Sequence, residues 1–376
     1  MMVKFIKKSD FGLLLNDIFK INHTTMKTKY IFIFFVILML LPKLFVAQDI
    51  HFSQYTETPS IINPALAGVH YNTRVITNFR TQWGSVATSY QTIGLSFEQT
   101  IKAKKIKGSY FAVALNIFRD AAGDAKLNTL NPNLGISYIQ KINKQMKVSG
   151  GFQGGLLYKT IDINNLRWDK QYNGYEYNSA LSNGEPVTPR SSITTYDMGA
   201  GVNFNYAQSE KFFSSKDGNK FDFGFSAYHY SIPVNSFITT SEKLHTRFCT
   251  YANGDFNIPN SKNAIMPSFL YMRQGTSSQF IVGALFKFIL VDQSMYTGIK
   301  KPCAISIGSM YRYKDAIVPM VLVQYDKYAF GASYDINVSA LTPASKRNGG
   351  LEIMLRYNVS PGYGRNLGRG DTRASY

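Results

Sequence analysis

The stretch Tyr196-Asp197-Met198-Gly199-Ala200-Gly201-Val202-Asn203-Phe204-Asn205-Tyr206 carries an apolar side chain at every second position, with Asp, Gly or Asn between. The pattern returns at Phe221, Phe223, Phe225 and Ala227, set against Asp222, Gly224 and Ser226. Side chains of a strand alternate between its faces, so period two describes a strand with one greasy face and one polar or tightly packed face. A tilted strand of roughly 9–11 residues also crosses a bilayer.

Working outward, fourteen alternating segments lie between turn signals, the first at Thr73–Gln82 and the last at Gly349–Val359. An even number suits a closed single-chain bacterial barrel. Parity assigns the outward face: Phe111, Val113, Leu115 and Ile117; Val148, Phe152, Leu156 and Tyr158; Phe280, Val282, Ala284, Phe286 and Phe288; Ile317, Val321, Val323 and Tyr325; Leu351, Ile353, Leu355, Tyr357 and Val359. The alternate positions include Lys287, Glu352, Arg356 and Asn358, which hydrocarbon would not tolerate, so they face a lumen. Inward positions read as Gly, Ala, Asp, Asn and Ser, leaving room for a plug inside a barrel of this size. The expected fold is therefore all-β, a transmembrane antiparallel barrel of about 14 strands. An exported soluble β-sandwich is the competing architecture, and strand length with Tyr at strand ends argues against it.

The composition agrees. Aromatics make up 14% of 376 residues, with 25 Tyr and 27 Phe, as interfacial girdles require. Mean hydropathy of −0.14 argues against a helical membrane protein. The apolar run Tyr30–Leu41 is too short for a spanning helix, which needs roughly 20 residues. With Lys27 and Lys29 before it and Ala47 after, it reads as a secretory signal peptide cleaved after Ala47. Met26 directly precedes the basic stretch, so residues 1–25 are taken as a misassigned start; a genuine extension is the other account. The expected organisation is a signal peptide at 1–47, a plug or periplasmic segment at 48–72, a barrel at 73–360 and a flexible basic tail at 361–376.

Removing residues 1–47 takes seven Lys and two Asp and lowers the net charge from +18 to +13. For an exported chain this points to anionic lipid headgroups or an acidic protein, not nucleic acid. Lys102, Lys104, Lys105 and Lys107, then Lys141, Lys144 and Lys147, are read as basic turn clusters. Cys249 and Cys303 form no pairing pattern and are placed in strands as small apolar residues. Four His follow the leader: His51 and His70 in the plug segment, His245, and His229 on the apolar parity of its strand, which places it at the lipid interface. No nucleophile with a positioned base, no metal spacing and no cofactor loop stands out; Gly150-Gly151-Phe152-Gln153-Gly154-Gly155 lies within a strand and opens no helix. A non-enzymatic protein without cofactor or metal is expected.

Particular motifs then carry a resemblance. Gln48-Asp49-Ile50-His51-Phe52-Ser53-Gln54-Tyr55, with Pro59 and Asn63-Pro64-Ala65-Leu66-Ala67-Gly68, resembles the PorP/SprF family of Bacteroidetes. So do Tyr311-Arg312-Tyr313-Lys314-Asp315-Ala316-Ile317-Val318-Pro319 and Gly331-Ala332-Ser333-Tyr334-Asp335-Ile336-Asn337-Val338-Ser339, with Ser345, Gly349-Gly350 and Glu352 downstream. The resemblance covers essentially the whole mature chain. It implies an outer-membrane barrel of the type IX secretion system, linked to gliding motility and to export or anchoring of a secreted adhesin through its C-terminal domain. It also implies other secretion components as partners, among them a periplasmic peptidoglycan-linked protein. The segment Val291–Lys300 is longer than the family pattern suggests, and the basic tail is unusual.

Candidate plug and lumen contacts are Asn63, Pro64, Gly68, Asp335 and Asn337. Pro64 fixes its own φ and keeps Asn63 out of the α region, which suits an extended plug. Asp335 and Asn337 share the inward face at a strand end. The candidate partner-binding loop is Lys159–Ile193, the longest connection, with Arg167, Trp168, Tyr172, Tyr175 and Tyr177. The second function class is an outer-membrane channel of fatty-acid-transporter type for small or hydrophobic molecules, kept open by the Asn-Pro-Ala plug. Uniformly small and polar inward faces would speak against a greasy channel.

Overall fold

The computed structural model describes residues 49–359 apart from 85–87, 102–107, 185–189, 209–217, 239–241, 293–299 and 341. The leader, the basic tail, the first lysine cluster and most of Val291–Lys300 lie outside the described residues.

Fourteen antiparallel strands form one closed barrel: β1 (Thr73–Gln82), β2 (Tyr90–Ile101), β3 (Ser109–Ala122), β4 (Leu127–Lys141), β5 (Met146–Thr160), β6 (Ser192–Ala207), β7 (Lys220–Tyr228), β8 (Arg247–Asn257), β9 (Asn263–Gln274), β10 (Ser277–Val291), β11 (Cys303–Arg312), β12 (Ala316–Tyr325), β13 (Tyr328–Asn337) and β14 (Asn348–Val359). Each strand pairs with its sequence neighbours. The seam closes where β14 pairs with β1, from Thr73 opposite Val359 to Gln82 opposite Gly350. Closure leaves no unpaired edge, the condition for a sheet to stand in hydrocarbon.

The parity assigned from sequence matches the burial. Leu134, Phe152, Val202, Phe223, Ile307 and Leu355 are exposed on the outer surface. Tyr158, Tyr196, Tyr230 and Tyr313 gather at the rim holding the odd-to-even connections, and Tyr138, Tyr325 and Tyr328 at the other. These are the aromatic girdles of a membrane barrel.

Two inward assignments change. The lumen wall is not uniformly small and polar. Leu270, Met272, Ile281, Leu285, Met310, Val318, Met320, Leu322 and Met354 all point inward and form one apolar cluster. They lie on β9–β12 and β14, so this arc of the lumen wall is largely greasy while the arc β4–β7 is largely polar. The reason is that some strands are apolar on both faces, as in Ala316, Val318, Met320 and Leu322 alternating with Ile317, Val321 and Val323. Lys147 is also not a solvated turn residue: it is buried and its Nζ donates to the Val69 carbonyl at 3.3 Å.

Residues 49–72 run through the lumen from one rim to the other. Asp49 meets His229, Arg247 and Gln274 at the odd-to-even rim. At the opposite rim Asn72 N–H donates to Val359 O and its carbonyl accepts from Thr100 N–H, both at 2.8 Å. Between them lie a 3-10 turn at Tyr55–Glu57, the one-turn helix α1 (Pro59–Ile62) and a second 3-10 turn at Pro64–Leu66. Pro at the first position of α1 and of the second turn starts each one, since a missing N–H costs nothing there.

Candidate functional site: the lumen and its N-terminal segment

The segment touches the wall at four places. The first is the charged cluster under the seam. Ser53 and Gln54 donate their backbone N–H groups to the two carboxylate oxygens of Glu352, at 2.8 and 3.0 Å. Ser53 Oγ donates to Asp335 at 2.7 Å and accepts from Arg312 at 2.9 Å. Arg80 and Arg312 both bind Asp335 Oδ2, at 2.8 and 2.9 Å, and Arg80 donates to the His51 carbonyl. Gln54 Nε2 reaches Ser333 Oγ and the Glu352 carbonyl, each at 3.1 Å. Four buried charges from β1, β11, β13 and β14 thus converge on His51, Ser53 and Gln54. Charge-assisted bonds of this kind are roughly twice as strong as neutral ones.

The second contact is Asn63. Its Nδ2 donates to Val202 O at 2.8 Å and to Phe225 O and Tyr251 Oη at 3.3 Å, while its Oδ1 accepts from Ala65 N–H at 2.8 Å. One carboxamide therefore caps the following turn and ties it to β6 and β7. Pro64 and Ala65 lie flat on Gly151, and Asn63 on Gly201, so close that a methyl group at either glycine would overlap them. Ser149 Oγ and Ser137 Oγ donate to the Ala65 and Ala67 carbonyls, both at 2.7 Å.

The third is Gly68, at φ +74°, with its N–H 3.3 Å from Glu98 Oε2 and its carbonyl accepting from Tyr110 Oη at 3.2 Å. Glu98 is itself held by Arg74 at 2.7 Å. The fourth is Asp49, whose carboxylate lies on His229 and 3.3 Å from Arg247.

His229 is the clear correction. Parity put it at the lipid interface, but β7 ends at Tyr228 and His229 takes φ +58°, which breaks the alternation and turns the ring inward. There Nδ1 is 2.9 Å from Asp197 and Nε2 binds Asp49. Burial alone would push the imidazole down, yet the Asp49 and Asp197 carboxylates lift it to about 9. Burial would raise Asp49 in turn, but His229 and Arg247 hold it well below the usual carboxylate range.

Of the residues singled out from sequence, Asn63, Pro64, Gly68 and Asp335 meet at the contact between segment and wall. Asn337 does not: its Nδ2 turns to the Asn348 carbonyl at 3.2 Å. The inward Asn203 and Asp197 reach the segment through Tyr251 and His229, and Asn205 bonds Asp222 at 3.0 Å. Arg80, Glu98, Arg247, Arg312 and His229 were not singled out. Except for His229, a charge at inward parity within or at the end of a strand was the available signal.

At the even-to-odd rim a cleft open to solvent is lined by Glu57, His70, Arg74, Lys220, Asp222, Asp255, Lys287 and Arg356 among others. Lys287 pairs with Asp255 at 2.9 Å, and Arg356 with Glu57. Among the described residues no group of three or more His, Cys, Asp or Glu is arranged to hold a metal ion.

The odd-to-even rim carries the aromatic loop. Tyr172 and Tyr177 form an isolated antiparallel bridge. Asn173 Oδ1 accepts from Tyr175 and Glu176 N–H at 2.9 and 2.8 Å, closing a tight turn. Tyr175 at its tip is 95% exposed. Arg167 stacks 5.4 Å over the Tyr177 ring, and Trp168 precedes a 3-10 turn at Asp169–Gln171.

A family model described as type IX secretion system membrane protein PorP/SprF matches residues 44–357. The chain belongs to the PorP/SprF family. As a PorP/SprF protein it is an integral outer-membrane component of type IX secretion. No curated protein matches it. Solved structures with similar shape include the CymD monoaromatic hydrocarbon channel, at 8% identity and TM-score 0.41, covering 81% of this chain and 93% of that one. The translocator domain of the autotransporter NalP from Neisseria meningitidis has 12% identity and TM-score 0.37, covering 81% and 92%. CdiB from Acinetobacter baumannii has 8% identity and TM-score 0.36, covering 76% of this chain, which spans 60% of CdiB. The PorP/SprF motifs Phe52-Ser53-Gln54, Asn63 to Gly68 and Asp335 fall on the contacts between segment and wall described above.

Proposed function

We propose that this barrel handles a protein and does not conduct solutes at rest, helping to export or anchor a secreted adhesin through its C-terminal domain. The observation that carries the reading is the passage of residues 49–72 through the lumen from rim to rim, bonded to the wall along the way. The odd-to-even connections face outside in this reading, and the exposed turn at Tyr172–Tyr177 with Arg167 offers the aromatic and guanidinium groups that dominate protein contacts. Membrane lipid, other secretion components and a periplasmic peptidoglycan-linked protein complete the partners, and gliding motility is the cellular setting. The test is deletion of residues 172–186. Surface display of the secreted partner should stop while the barrel stays in the membrane; unchanged display would remove the loop from the account. Co-purification of adhesin C-terminal domains from outer membranes tests the class.

The inward apolar cluster supports a second reading as a channel for hydrophobic molecules. If Tyr55, Ile62 and Leu66 withdrew, a greasy chamber would open along β9–β12. Recovery of bound lipid or detergent-like ligands alone would favour it.

A further inference from the structure

We propose that the His229–Arg247 pair at the odd-to-even mouth is a carboxylate-binding site that Asp49 occupies from within, and that a small carboxylate from outside can take its place. The pair is held without Asp49. His229 is fixed by Asp197 at 2.9 Å, and Arg247 donates to the Ile61 carbonyl at 3.0 Å and lies 4.7 Å over the Tyr228 ring. Removing Asp49 would thus leave two oriented, buried donors and no collapse to hide them. With Asp49 gone, Asp197 alone would face two buried cations, so the site favours a second anion. Arg247 Nε has no hydrogen-bond partner although the residue is buried, so donor capacity remains.

Access comes from one side. The Asp49 side chain is 21% exposed, against 7% for His229 and 9% for Arg247. The space beside it, lined by Ile50, His51, Met272, Gln274, Ser277 and Gln279 together with Asp49 and Arg247, is small and opens to solvent, so an incoming carboxylate reaches the pair by taking the place of the Asp49 side chain. Exchange would free the outer end of the luminal segment, because Asp49 makes the ion pairs there. The inference goes beyond the protein-handling reading and takes from it only that the odd-to-even mouth faces outside.

The test uses the full chain in detergent or nanodiscs with Ile50→Cys as a reporter, read by its rate of maleimide labelling. Heat-modifiable migration shows that each barrel is folded. Adding Asp49→Ala should accelerate labelling about tenfold, the ordinary scale of a lost charge-assisted bond. Formate, which fits the space left by the carboxylate, should restore the slow rate where equal chloride does not. Asp49→Asn should label faster and show no response to formate, because the amide fills the space. An unchanged rate in Asp49→Ala, or acceleration that formate and chloride affect equally, would overturn the proposal.

Discussion

At the residue scale, Asp335 bears most on the seam cluster. It is the shared partner of Arg80 and Arg312, both buried. Asp335→Ala leaves two guanidinium groups facing each other, with Glu352 4.0 Å from Arg80 and the half-exposed Asp315 on Arg312 as the remaining carboxylates. A broken buried pair costs about 3–5 kcal/mol. The thermal midpoint of the purified barrel should fall accordingly, and much further than for Asn337→Ala, whose side chain only reaches the Asn348 carbonyl. Gly201→Ala is a finer probe. Its methyl would overlap Asn63 Oδ1, and overpacking of this kind costs about 1–3 kcal/mol. A midpoint equal to that of the parent would mean that Asn63 does not press on β6.

At the element scale, the strands were legible because one rule governs them. Lipid outside and packed lumen inside impose period two, and β1 shows the same bounds in sequence and structure. Parity failed where the backbone leaves the strand: His229 follows the last residue of β7 at φ +58°, and nothing in Ala227-Tyr228-His229 announces that. The apolar inner wall was hidden for another reason. A strand greasy on both faces looks like a strand greasy on one when only the outward parity is counted. Of the site, Asn63 and Gly68 were legible from Asn-Pro and Gly chemistry. Their partners Glu98 and Tyr251 depend on register across the barrel, which no local pattern reports.

The outer end of the segment carries a pH dependence. His229 is raised to about 9 in the folded protein, above its unfolded value of about 6.5. Its contribution is complete below about 6.5 and is lost as pH rises through 9. Asp49 is depressed, so its contribution is present above the unfolded carboxylate value of about 4 and fades as pH falls. Labelling of Ile50→Cys should therefore be slow near pH 6 and accelerate towards pH 9 beyond the intrinsic rise in thiol reactivity. In His229→Gln that excess should disappear.

At the scale of the whole molecule, the luminal segment separates the two mouths. Asn63 to Gly68 lies against Gly151, Gly201 and Ala112 with no space for a methyl group. In planar bilayers the full chain should show no steady open conductance. Deleting residues 49–66, with the leader junction kept, should yield a conducting barrel, and a silent deletion that still shows heat-modifiable migration would mean that the strands alone close the lumen. Tyr175→Ala should leave the thermal midpoint unchanged, since the ring is 95% exposed.

The route of the segment also constrains the order of assembly. A chain that enters at one mouth and rejoins the wall as β1 at the other cannot be threaded after the ring has shut without drawing its free end through the full bore. His51, Ser53 and Gln54 bind groups from β1, β13 and β14 at once, the strands on both sides of the seam. Bringing Thr73 to Val359 closes the longest loop among the strand pairings, with an entropic cost that grows with loop length. Residues 51–54 are therefore placed as a common template for the seam: Arg80 of the first strand holds His51, and Glu352 of the last holds Ser53 and Gln54.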